Sequence, residues 1–263
     1  MFDEILAFSA VGILAGLLAG MFGIGGGLII VPVLIGIFVN LGFNNEVIIH
    51  LATGSSISCI IFTSLSSSNA HKRKKSIDFS QLKVISVGIV FGSFCGAIVA
   101  GQIAGIALKM TIATFLAFVG FQTLFDIRFT KTDITSSRPK SVLAGTSIGF
   151  LSSILGIGGG TFSVPYFRAT GLNLKTAIGT SAACGIPIAI FGTLGYVIAG
   201  MNVKVLPNLS LGYVYLPALI GISVTSIFTA KFGAEIAHYL PQDILRKLLA
   251  MWFIGLSIYM FLL

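Results

Sequence analysis

The chain has 263 residues, 56% of them hydrophobic and only 9% charged, with a mean hydropathy of +1.03 and a formal charge of +8. So little polar surface excludes a water-soluble domain of this length. The basic residues fall between apolar runs, which argues against nucleic-acid binding and for a role in setting orientation in a bilayer.

In chain order, the first half has apolar segments near 5–22, 28–43, 47–69, 82–105 and 108–126. The second half has them near 141–155, 161–171, 176–200, 211–232 and 244–262. The expected fold is all-α: a polytopic helical membrane protein with about 8–10 membrane segments. MFDEILAFSA carries two acids and no Lys or Arg, so the first segment is expected to stay in the membrane rather than act as a signal peptide. Residues 141–155 and 161–171 are short. As helices they rise about 22 Å and 16 Å against a hydrocarbon core of about 30 Å, which suits either a re-entrant hairpin or two tilted, interrupted helices.

The chain repeats itself. GIGGGLIIVP begins at Gly23 and GIGGGTFSVP at Gly156, so Pro32 aligns with Pro165 at an offset of 133. Downstream, ATGSSISC (52–59) aligns with AIGTSAAC (177–184) at an offset of 125. This divides the chain into a first repeat (1–126), a polar linker (127–140) and a second repeat (141–263). If each repeat makes an odd number of crossings, fourteen Lys and Arg face one side and Lys109 and Lys204 the other. Four crossings per repeat would give ten against six. The positive-inside rule favours the first arrangement: an inverted-topology repeat in the cell (inner) membrane, both termini outside, with the linker and the loop 71–83 cytoplasmic.

A Gly-x-Gly-Gly-Gly run is poor helix, each glycine costing about 1 kcal/mol relative to alanine. Its use is at the start of the following helix. There the free N–H groups carry a partial positive charge, and glycine lets an anion approach without a Cβ in the way. Gly25, Gly26, Gly27, Gly158, Gly159 and Gly160 are therefore candidate substrate-binding residues, with Pro32 and Pro165 as helix breaks just beyond. The motif has neither the spacing nor the lysine of a nucleotide phosphate loop. Thr53, Ser55, Ser56, Thr180 and Ser181 can add hydroxyls to an oxyanion site, or can bond back to their own helices. His50, Arg168 and Lys175 are candidates for the mouth of such a site, or for interfacial anchors.

No acid lies in the middle of an apolar segment, which argues against a carboxylate relay or a cation path. The three histidines are too scattered for a metal site, and neither a metal nor a cofactor is expected. Cys59, Cys95 and Cys184 lie in apolar stretches without a CxxC pair.

Two copies of GIGGG followed by Val-Pro, each with a downstream GSS (54–56) or GTS (179–181), resemble the TauE/SafE family of membrane transporters over essentially the whole chain. The first copy departs slightly, with ATGSS in place of a GTS-type sequence. The resemblance implies a secondary exporter of a small anion such as sulfite or an organosulfonate, with no enzymatic activity. Two other classes stand beside it. A non-transporting membrane adaptor would use HKRKK (71–75) as a docking patch. A membrane-embedded enzyme would need an intramembrane acid, His or Arg cluster, which the sequence lacks. The identity of the anion, its coupling ion and homo-oligomerisation stay open at this point.

Overall fold

The computed structural model describes residues 2–22, 26–125, 137–239 and 242–263. Its elements are α1 (Phe2–Phe22), α2 (Gly27–Asn40), α3 (Ile48–Arg73), α4 (Phe79–Ala100) and α5 (Gly105–Leu124). They continue with α6 (Arg138–Leu155), α7 (Gly160–Ala169), α8 (Leu174–Gly200), β1 (Ser210–Leu211), β2 (Val214–Tyr215), α9 (Leu216–Tyr239) and α10 (Gln242–Leu262). Among the described residues the ten apolar segments correspond to ten helices, and the protein is an all-α polytopic membrane protein. By length and hydropathy α3, α4, α5 and α8 can each cross a bilayer.

The helix ends follow local chemistry. Asp78 caps α4 by accepting the N–H groups of Ser80 and Gln81 at 2.9 and 3.0 Å, and Asn173 caps α8 through Thr176 N–H at 2.9 Å. Several boundaries shift by a few residues from the sequence expectation, and two of the shifts have a clear local cause. Helix α6 starts at Arg138, because Pro139 suits a first helical turn, and its 18 residues rise about 27 Å. Residues 211–215 are not the start of a helix. They form most of a hairpin in which Ser210 pairs with Tyr215 and Leu211 with Val214, closed by Gly212 at φ 55°. A glycine with positive φ at the first central position fits a tight two-residue hairpin turn.

Helices α3 and α8 pack on each other at the centre. The most apolar stretch of α3 is 83% buried within the protein, against 33% for α5, so α3 is a core helix and α5 a peripheral one. The remaining long contacts cross between the halves: α1 runs along α9, α4 along α6, and α5 along α10. Close approach along α4–α6 uses Gly88, Gly92 and Gly96, whose missing side chains admit the backbone of Val142, Thr146 and Phe150. Gly12 and Gly16 do the same for α1 against Ile222 and Ser226 of α9. The short helices α2 and α7 lie on α3 and α8 respectively.

Candidate functional site

The two glycine motifs build one backbone geometry twice. Gly26 caps α2 at φ 73°, ψ −18°, and Gly159 caps α7 at φ 75°, ψ −11°. Both are left-handed, a conformation that glycine adopts without penalty. The Gly26 carbonyl accepts Ile29 and Ile30 N–H at 3.0 and 3.1 Å. The Gly159 carbonyl accepts Phe162 and Ser163 N–H at 3.0 and 2.8 Å. Helix geometry leaves the first N–H groups, those of Gly27 and Leu28 and of Gly160 and Thr161, without an intrahelical acceptor. Upstream of α7, Gly156 ends α6 at φ 68°, with Ile157 N–H donating to Ser152 O at 2.9 Å. That is the left-handed closure expected of a helix-ending glycine.

The breaks meet. A Cβ on Gly27 would stand 2.5 Å from the Gly156 carbonyl oxygen and 2.8 Å from Ile157 Cα, so only glycine permits the contact. Ser56 Oγ donates to the same Gly156 carbonyl at 2.9 Å. On the α7 side, Ser163 Oγ donates to Gly159 O at 2.9 Å and lies 2.6 Å from Ser181 Oγ. Ser163 has one proton and spends it on Gly159, so Ser181 is the donor in the hydroxyl pair. Gly158 and Gly160 are buried in this region; Gly25 lies outside the described residues.

Ser55 and Thr180, equivalent in the repeat, do equivalent work. Ser55 Oγ accepts the N–H of Tyr215, the residue before α9, at 2.9 Å. Thr180 Oγ1 accepts the N–H of Asp78, the residue before α4, at 2.9 Å. Each tie joins the two halves. The adjacent Gly54 and Gly179 make room for it, packing directly against the carbonyls of Tyr213 and Ser76. Thr53 Oγ1 donates to Ile49 O of its own helix at 2.7 Å. Pro32 and Pro165 sit inside α2 and α7, which run on past them. A proline there frees one carbonyl of the preceding turn.

The three mouth candidates lie apart from the breaks. His50 is buried, stacks on Tyr213 with ring centroids 4.9 Å apart, and places Nε2 2.9 Å from Ile103 O. Since a carbonyl only accepts, Nε2 carries the proton. Arg168 is exposed and its Nη1 donates to Leu172 O at 3.0 Å, closing the end of α7. Lys175 is exposed in the first turn of α8.

Sequence reading missed Ser152, Ser153, Thr161 and Ser163, which surround the second break. Ser152, Ser153 and Thr161 each hold a buried hydroxyl oxygen with no partner. The signal was available: position-by-position comparison of the repeats sets Ser152 against Ala19, Ser153 against Gly20, Thr161 against Leu28 and Ser163 against Ile30.

Comparison with known proteins identifies the family. The model of the family described as sulfite exporter TauE/SafE matches residues 8–260. A "Probable membrane transporter protein" of Haemophilus influenzae is 37% identical over 264 residues, covering the whole of both chains. A relative of the same description in Methanocaldococcus jannaschii is 28% identical over 91% of this chain and 89% of its own. The probable membrane transporter protein YdhB of Bacillus subtilis is 25% identical over 89% and 91%. No solved structure matches the chain. The chain therefore belongs to the sulfite exporter TauE/SafE family, a family of membrane transporters.

Proposed function

We propose that the protein is a secondary transporter that exports a small anion of the sulfite or organosulfonate type by alternating access around the two glycine breaks. The observation that carries this reading is a repeated one: two left-handed, glycine-capped helix starts, at Gly26 and Gly159, each with first-turn amides that lack an intrahelical acceptor, the first of them packed through Gly27 against the Gly156–Ile157 turn that leads to the second. Amides and hydroxyls bind an oxyanion without a fixed countercharge, so the site can release it again. An interior-negative potential favours expulsion by about 2.3 kcal/mol per charge per 100 mV, so export needs no nucleotide.

The same proposal makes residues 1–126 and 141–263 inverted repeats joined by the linker 127–140. The reciprocal packing of α1 on α9 and α4 on α6 supports it, as does the uneven distribution of Lys and Arg. In the inner membrane the loop 71–83 would then face the cytoplasm and both termini the outside. Single cysteines at position 2 and in the HKRKK loop, introduced into a chain whose own cysteines are removed, should react with an impermeant maleimide only on opposite faces. Labelling of both from one face would reject the inversion.

Transport itself is tested in proteoliposomes of the purified protein with sulfite, sulfate, sulfoacetate and taurine under an imposed potential. Saturable flux of an anion toward the positive side is expected. Flux indistinguishable from empty liposomes for all four, with folded protein, would defeat the substrate reading.

A further inference from the structure

The two breaks share a backbone geometry but not a lining. A narrow pocket beside Gly26 is walled by Leu18, Ala19, Leu28, Ile29 and Phe253. Moving 133 residues along the repeat converts Leu18 to Leu151, Ala19 to Ser152, Leu28 to Thr161 and Ile29 to Phe162. Two of the alkyl groups around Gly26 thus become hydroxyls around Gly159, and the other two positions stay apolar.

Those hydroxyls are not explained by the fold. Ser152 is fully buried, its Oγ has no partner, and it lies 3.3 Å from where a Cβ of Gly159 would stand, so it points at the start of α7. Thr161 Oγ1 is likewise buried and unpaired, on the same first turn whose amides, those of Gly160 and Thr161, find no acceptor among the described residues. A buried polar group without a partner costs stability. The same chain uses alanine and leucine at the equivalent places, so the backbone does not require Ser and Thr there. Ser163 and Ser181 do not join this set, because their protons are spent on Gly159 O and on Ser163; they hold the Gly159 carbonyl turned into the protein.

We propose that the oxyanion is held on the second break alone, by the amides of Gly160 and Thr161 together with Ser152 Oγ and Thr161 Oγ1. The first break is its apolar counterpart and binds no anion. All four groups can donate, and two of them can only donate, which selects an oxyanion over a cation. The protein therefore binds one anion per chain, despite its two copies of GIGGG. This assignment rests on the anion-transport reading, and the test separates the two.

The purified full chain in lipid nanodiscs is titrated with sulfite, sulfate, sulfoacetate and acetate, reading heat of binding and the anion-induced rise in Tm. One equivalent per chain of at least one anion is expected. Ser152→Ala and Thr161→Val should each weaken it by about tenfold, the loss of one hydrogen bond to a charged group. Because neither hydroxyl has a protein partner, the ligand-free Tm of both variants should not fall. Leu28→Ala, at the first break, should bind as the unmodified chain does. Undiminished binding by both hydroxyl variants, or two equivalents per chain, overturns the one-sided site and leaves anion transport standing. Binding of none of the four anions by the folded, unmodified chain overturns both.

Discussion

Gly159→Val is expected to abolish transport while the helical body still assembles. At φ 75° a side chain with a Cβ costs about 1–2 kcal/mol, and a β-branched one is a true outlier. The added atoms would also run into Ile188 Cδ1 and approach Ser152 Oγ. Ile188 can rotate away, so the fold survives, but α7 must start differently and its open amides are covered or turned. Gly42→Val supplies the control. Gly42 is also left-handed, at φ 72°, but nothing lies within 4 Å of its Cβ position, and it follows α2 rather than preceding it. It suffers comparable backbone strain and should keep its flux. Flux and size-exclusion profile measured on both variants separate strain from site: equal loss of flux in the two would remove the special role of the break.

The second large effect is on assembly. Thr180→Val keeps shape and removes the acceptor of Asp78 N–H, leaving a half-buried backbone donor unpaired, at a cost of up to about 1–3 kcal/mol. Gly179→Val is harsher. Its Cβ would fall on the Ser76 carbonyl, backbone that cannot swing aside as a side chain can. Overpacking of this kind costs about 1–3 kcal/mol, and displacing the 76–78 turn also breaks the Thr180 tie. A total of about 2–6 kcal/mol approaches the entire net stability of an ordinary domain, about 5–15 kcal/mol. Gly179→Val should therefore give little monodisperse protein, and Thr180→Val a lowered Tm with intact yield. Ser55→Ala and Gly54→Val should reproduce the pair on the other side, through Tyr215 N–H and the Tyr213 carbonyl. Normal yield and Tm from Gly179→Val would show that this turn is not fixed where the geometry puts it.

Much of the fold was legible because lipid imposes simple rules. Apolar runs long enough to matter became helices, and GIGGG marked both breaks because left-handed backbone needs glycine. The hairpin at 210–215 was not legible, since LGYVY runs on into LPAL without a polar interruption, and periodicity cannot separate two-residue strands from a helix start. The hydroxyls were harder. Ser55 and Thr180 stand out as a repeated motif, but their partners lie 160 and 102 residues away, so nothing local reveals that they hold backbone N–H groups. Ser152 and Thr161 were hidden by the opposite bias. A repeat is visible through the matches between its halves, whereas these residues inform through their mismatch with Ala19 and Leu28.

The exchange of partners between the halves has a consequence for biosynthesis. Helix α1 leaves the ribosome well before its long neighbour α9, which begins roughly 190 residues after α1 ends. At about 5–20 residues per second, α1 waits on the order of 10–40 s in the bilayer before its glycine face is covered. Helix α4 waits for α6 over a much shorter stretch. The early half of the chain is thus an unfinished object that must be sheltered, by lipid or by the insertion machinery, until the late half arrives. Slowed translation after α5 should accordingly expose the nascent chain to membrane proteases, whereas the completed protein resists them.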